Sequence, residues 1–129
     1  ENFMKPCFSL MLAIKNNELF KYSGYVINNS KIISWCGNES SKGRSQNNKD
    51  YTILTIQSSE DYANKNYLNY KKNKNLILEE MLNETLNIFK FPKDNIVHKD
   101  IHGWLYAFSN VVSSDIFCFL DFLSFVCHS

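Results

Sequence analysis

Between Lys74 and Phe89 the apolar residues Ile77, Leu78, Met81, Leu82, Leu86 and Phe89 recur at spacings of three and four. At about 3.6 residues per turn that spacing gathers them on one side, so the segment is predicted to fold as an amphipathic helix over an apolar surface. Glu79, Glu80 and Glu84 fall opposite or beside the stripe and read as its solvated side. Phe91-Pro92 ends the segment, because proline has no N–H for the helical ladder and pushes its predecessor out of helical geometry.

The surface beneath this helix reads as β-sheet. Phe8 to Lys15 (FSLMLAIK) is an apolar run too short for a helix of average length and is bounded by Pro6 and Asn16-Asn17, which suits a buried strand. Tyr25-Val26-Ile27 and Ile32-Ile33-Ser34-Trp35-Cys36 flank the polar Asn28-Asn29-Ser30, the grammar of a hairpin. Gly37 to Asp50 is polar, without apolar periodicity, and reads as a surface loop. Tyr51 to Gln57 (YTILTIQ) is β-branched and aromatic, a further strand. Ser58 or Ser59 then caps a short helix over Glu60 to Asn66, whose first turn carries Glu60 and Asp61. Ile96 to Ile101 and Trp104 to Phe108 read as two strands meeting at a bend or bulge at Gly103. The predicted class is α+β: five or six mostly antiparallel strands with one long helix packed across them.

A chain of 129 residues with 44% hydrophobic content supports one domain with one core. Its 14 basic and 13 acidic residues leave a net charge of +1, so no field favours nucleic acid or an anionic membrane surface. Cys7, Cys36, Cys118 and Cys127 lie far apart with no C-x-x-C pair, and reduced, buried thiols in a cytoplasmic protein are the expectation. Residue 1 is Glu, and no basic leader precedes the first apolar strand, as expected of a chain that continues upstream. Residues 1–110 form the expected domain. In residues 111–129 the run Ile116 to Val126 is almost wholly apolar but falls short of the ~20 residues of a membrane-spanning helix. It reads as an element of a core outside this chain or as a non-native tail.

Chemistry is concentrated near the end of the predicted sheet. His102, Trp104 and Tyr106 alternate along a strand, so all three point to one face and Gly103, Leu105 and Ala107 to the other. Such a trio forms either the wall of an aromatic pocket or a ladder packed on the long helix. Asp100 beside His102 reads as a surface carboxylate, since residues two apart share a strand face without having to bond. Ser41, Lys42 and Arg44 suit either an anion-binding loop or a solvated turn. His98 and His102 with Cys118 and Cys127 make a poor zinc set, with both histidines on a strand and a cysteine spacing unlike a finger, and no metal is expected.

Four segments, in order, resemble the second half of the renalase-like FAD-dependent amine oxidase family. Pro6-Cys7-Phe8-Ser9-Leu10-Met11-Leu12 is similar to the strand that opens the family's second pass through its substrate domain. Asn38-Glu39-Ser40-Ser41-Lys42-Gly43-Arg44 resembles its N-S-S-K-P-G-R loop, with Glu39 added and the proline absent. YTILTIQSSEDY, Tyr51 to Tyr62, is similar to its W-x-x-x-A-S-x-x-W-S pattern, with tyrosines for tryptophans. His102 to Ala107 resembles H-R-W-R-Y-A, with Gly103 and Leu105 in place of both arginines.

The resemblance implies an FAD-dependent oxidoreductase in which a Rossmann-type domain of the same polypeptide holds the cofactor and a sheet-rich domain covers the flavin. His102, Trp104 and Tyr106 would line the substrate pocket, and Ser41, Lys42 and Arg44 would form a loop on the anion or cofactor side. The substrate would be a small amine or a dihydronicotinamide. This chain has four glycines and no G-x-G-x-x-G turn, so it would be the substrate-side fragment and inactive alone. A stand-alone α+β binding or interaction module is the alternative.

Overall fold

The computed structural model describes residues 3–15, 20–39 and 51–108. Strands β1 (Phe3–Lys15), β2 (Gly24–Val26), β3 (Ile33–Asn38) and β4 (Tyr51–Ser58) lead into helices α1 (Glu60–Asn66) and α2 (Lys74–Phe89), and β5 (Ile96–Phe108) follows. The strands form one antiparallel sheet in the order β2-β3-β4-β1-β5. This is the α+β class expected, with five strands and one long helix.

β1 pairs with β4 on one side and β5 on the other, so its alternation sorts the sheet into two faces. On the inner face Cys36, Ile56, Leu10 and Ile101 lie in one cross-strand row, and Leu54 and Leu12 in the next. These residues pack with Phe8, Ile14 and Ile33 against Tyr62 and Ala63 of α1 and Ile77, Met81 and Leu82 of α2. The helix stripe read from sequence is thus the buried one, with Thr85 added: its hydroxyl donates to the Met81 carbonyl at 2.8 Å, which lets a polar residue sit in the core.

The three glutamates of α2 are not simply its wet side. Glu79 accepts from Lys99 of β5 at 2.8 Å, Glu80 from the Tyr62 hydroxyl of α1, and Glu84 from the Ser30 hydroxyl in the β2–β3 turn. Ser30 Oγ also accepts from the backbone N–H groups of Ile32 and Ile33 at 3.1 and 3.0 Å, which fixes that turn. α2 is therefore tied by polar contacts to three other elements.

Ser59 is the cap of α1: its side chain accepts from Tyr62 N–H at 3.1 Å and donates to the Lys31 carbonyl at 2.7 Å. α2 ends at Phe89, one turn before the proline acts. Lys90 turns the chain with a left-handed φ of 56°, its N–H donating to Leu86 O at 2.8 Å.

Three expectations need correction. The first residues of the supposed Gly37 to Asp50 loop are not surface: β3 runs through Asn38, and Gly37, Asn38 and Glu39 are buried. Asn38 holds its place by donating from Nδ2 to the Phe20 carbonyl at 3.1 Å. The two strands meeting at Gly103 are one continuous strand. The register shift lies at the other end, where Ala13 and Ile14 of β1 face His98 and Ile96 and skip Val97.

Gly103 has a packing cause instead. Its cross-strand neighbour is Phe8, and a Cβ there would stand 3.0 Å from the Phe8 ring and 3.1 Å from the Tyr70 ring. Phe8 and Tyr70 stack with centroids 5.3 Å apart over the bare backbone. Gly24 plays the same part for Trp35, whose ring would lie 2.3 Å from a Cβ at that position. Finally, Cys7 is disulfide-bonded and only Cys36 among the described cysteines is free, against the expectation of reduced thiols. The distances between cysteines in sequence carry no trace of a pairing formed by the fold.

Two substitutions are expected to move stability in opposite directions in urea unfolding. Gly24→Ala forces the Trp35 ring out of place and should destabilise by about 1–3 kcal/mol. Lys90→Gly removes the cost of a left-handed side-chain-bearing residue and should stabilise by roughly 1 kcal/mol.

Candidate functional site

The outer sheet face, away from α1 and α2, carries the chemistry. One cross-strand row runs Trp35, Gln57, Ser9, His102, and the next runs Gly37, Thr55, Met11, Asp100. Trp104 follows His102 on β5, opposite Cys7. His102 and Trp104 stack with ring centroids 6.0 Å apart and planes inclined at 21°, and both are half-buried. They do not pack on the long helix: the β5 residue in the helix-covered core is Ile101, on the opposite face. The ladder-on-helix alternative is therefore excluded for these two residues. Tyr106 continues the alternation in register with Lys5, and its side chain lies outside the described part.

Asp100 is more than a surface carboxylate. One oxygen accepts from the Ile101 backbone N–H at 2.8 Å, and the other lies 3.4 Å from His102 Nε2. The pair two residues apart is thus in ion-pair range, a contact that strand periodicity permits but does not require.

Between Trp35 and the His102–Trp104 pair lies a polar band that the sequence reading missed. Ser9, Thr55 and Gln57 are buried on the outer face, and Thr55 is 0% exposed with no hydrogen-bond partner for its hydroxyl among the described residues. A buried, unbonded hydroxyl is costly, so the position stands out. The signal was present in YTILTIQ, where Leu54 and Ile56 alternate with Thr55 and Gln57. Ser9, Thr55 and Gln57 are thus interior to the outer face, exposed by at most 1%, while His102 and Trp104 at its β5 end are half-buried and keep some aromatic surface accessible.

Ser41, Lys42 and Arg44, the candidate anion loop, lie outside the described residues, as do residues 111–129. Among the described residues no group of three or more His, Cys, Asp and Glu side chains is placed to hold a metal ion. No helix among them is long and apolar enough to cross a membrane.

Two grooves lie elsewhere. One of about 760 Å³ is lined by Ser30, Lys31, Ile32, Ser59, Tyr62 and Glu80 among others, and its hydroxyls already bond within the protein. The other, of about 530 Å³, is lined by Leu82, Lys93, Asp94, Val97, His98 and Lys99, of which Lys99 is engaged by Glu79. Neither includes the His102–Trp104 wall. In comparisons with known proteins, no family model and no curated relative matches this chain.

Titratable groups on the inner side resist ionisation. Burial, and then the nearby Glu39, push the Cys36 thiol up to about 12. Burial, and then the bond to Glu80, raise Tyr62, and burial raises Tyr70. Each group keeps its proton longer folded than unfolded, so the stability it contributes is intact below its unfolded value and is lost as pH rises above it. Unfolding free energy should therefore fall as pH climbs past about 9 to 10, the ordinary values of these groups. Tyr62→Phe should flatten that decline in a pH series of urea titrations, and an unchanged slope would contradict this assignment.

Proposed function

We propose that this chain supplies the substrate-facing wall of an FAD-dependent oxidoreductase of the renalase-like kind, acting on a small amine or a dihydronicotinamide. The observation that carries this reading is the stacked, half-buried placement of His102 and Trp104 on the sheet face away from the helices. A flat substrate lying along the wall would meet aromatic surface from Trp104 and the imidazole of His102, while the Ser9–Gln57 row beside them is buried. Asp100 would hold the His102 ring in its place.

The departures from the H-R-W-R-Y-A pattern remove both of its guanidinium groups, which neither Gly103 nor Leu105 can replace. Gly103 and Leu105 belong to the inner face, where they pair with Phe8 and Pro6. An arginine at 103 would have to enter the Phe8–Tyr70 stack, so glycine there answers to packing, whereas Leu105 is exposed.

The wall fits a planar ring, but the chain does not fit a dinucleotide. Of its four glycines, Gly24 and Gly103 sit under aromatic rings, Gly37 is inside β3, Gly43 lies outside the described residues, and the sequence has no G-x-G-x-x-G turn. FAD would be held by a nucleotide-binding domain outside these 129 residues. The flavin, when bound, supplies the capacity to accept electrons, and the residues here supply position and electrostatics. A second reading, a stand-alone binding module, draws on the core, which closes between sheet and helices with Phe8, Leu10, Leu12, Met81 and Leu82 fully buried.

Tryptophan fluorescence separates the two, because both tryptophans lie on the outer face. Titration with reduced nicotinamide mononucleotide and with free flavin mononucleotide should give saturable quenching. Trp104→Leu and His102→Ala should each weaken it about tenfold, roughly 1.4 kcal/mol of stacking, while Trp35→Phe should retain it. Absence of saturable quenching by either probe would sink the oxidoreductase reading and leave the module.

A further inference from the structure

Among the described residues β5 is an edge strand of 13 residues, paired with β1 on one side. An edge of that length presents a row of backbone donors and acceptors to any strand that can match it. In an antiparallel ladder the N–H and C=O of a given residue both point to the same side, and the sides alternate along the strand. Ile101 N–H donates to Asp100 Oδ1 at 2.8 Å, and Ile101 C=O accepts from the Tyr70 hydroxyl at 3.2 Å. Both groups are taken by side chains, so Ile101 faces away from β1 and the ladder groups of Asp100 and His102 face into it. The Gly103 amide also acts on the Tyr70 oxygen, as the next outward residue would.

We propose that Asp100 and Tyr70 hold this edge closed against a second copy of the chain. β5 is self-complementary about Ile101. An antiparallel pairing of β5 with its own copy, centred on Ile101, would set Leu105 opposite Val97 and Asp100 opposite His102. Leu105 and Val97 are exposed hydrophobics, at 41% and 53%, and the Asp100–His102 match is of opposite sign when the imidazole is protonated. The central pair of that arrangement would be Ile101 with Ile101, a hydrogen-bonded pair that needs the very N–H and C=O that Asp100 and Tyr70 occupy. The closed contact is isologous, as a two-fold dimer requires, and would join two five-stranded sheets into one. The two side chains thus act as plugs at the symmetry centre, where blocking costs a pairing strand most.

The test is the association state of the whole chain by sedimentation equilibrium. The wild type should be monomeric across the concentration range. Tyr70→Phe with Asp100→Ala should dimerise, since Phe keeps the ring over Phe8 and Gly103 while both caps are lost. Adding Leu105→Lys should restore the monomer, because a charged residue on the edge opposes strand addition. A wild type already paired through β5 overturns the proposal. So does a double variant with wild-type circular dichroism that stays monomeric, or a dimer indifferent to Leu105→Lys. Should the double variant unfold, amide exchange in the single variant Asp100→Ala decides. The Ile101 amide should exchange about tenfold faster than in the wild type and His102 should not, and equal Ile101 rates overturn the capping role.

Discussion

The ring of Phe8 is the contact on which the rest of this structure depends. It lies near the middle of β1, between β4 and β5, fully buried, and touches Tyr62 of α1 edge-on at 6.1 Å. It also stacks with Tyr67 at 6.4 Å and Tyr70 at 5.3 Å, in the segment that leads from α1 to α2. Its backbone N–H donates to Ser58 Oγ of β4 at 3.1 Å, and Gly103 of β5 lies beneath it. One residue therefore joins three strands, the first helix and the connection to the second. Burial of a side chain of this size contributes roughly 1.5–3 kcal/mol, and removal from a packed site costs more because the cavity does not close.

The glycines follow from the same packing. Where an aromatic ring must lie flat on a neighbouring strand, the strand beneath can offer no Cβ, and Gly103 under Phe8 and Gly24 under Trp35 are the two instances. The rings lie on opposite faces: Phe8 on the inner side with the helices, Trp35 on the outer side in the row of Gln57, Ser9 and His102. Each face of the sheet thus has its own aromatic anchor.

Much of this was legible in sequence. The spacing of Ile77, Met81 and Leu82 determined which side of α2 is buried, and the run of serine followed by acidic residues marked the start of α1 at Ser59. The hairpin of β2 and β3 and the strand at Tyr51 were read from local patterns and stand, whereas β1 runs back through Pro6, read as its boundary, to Phe3. What was not legible depends on residues distant in sequence. A glycine inside a strand signals a bulge as readily as an aromatic neighbour, and only the pairing of Phe8 with Gly103 decides between them. Glu79, Glu80 and Glu84 look like a solvated stripe because their partners, Lys99, Tyr62 and Ser30, come from other elements. At the candidate site, the common face of His102 and Trp104 was a matter of period two. The Asp100 contact and the polar band of Ser9, Thr55 and Gln57 required the register of three strands.

Asp100 links the edge of the sheet to the wall on its outer face. A free carboxylate on a strand samples several rotamers and positions its neighbours poorly. Here Oδ1 is held by the Ile101 N–H, which points out from the sheet edge, so the remaining oxygen is left facing His102 Nε2 at 3.4 Å. The imidazole is then constrained on one side by that oxygen and on the other by the Trp104 ring. The order at the wall is borrowed from the Ile101 N–H, which bonds a side chain where an additional strand would have consumed it. A strand added to β5 at Ile101 would take this N–H and release the anchor, so the capped backbone at Ile101 and the ordered His102–Trp104 pair are consequences of one arrangement.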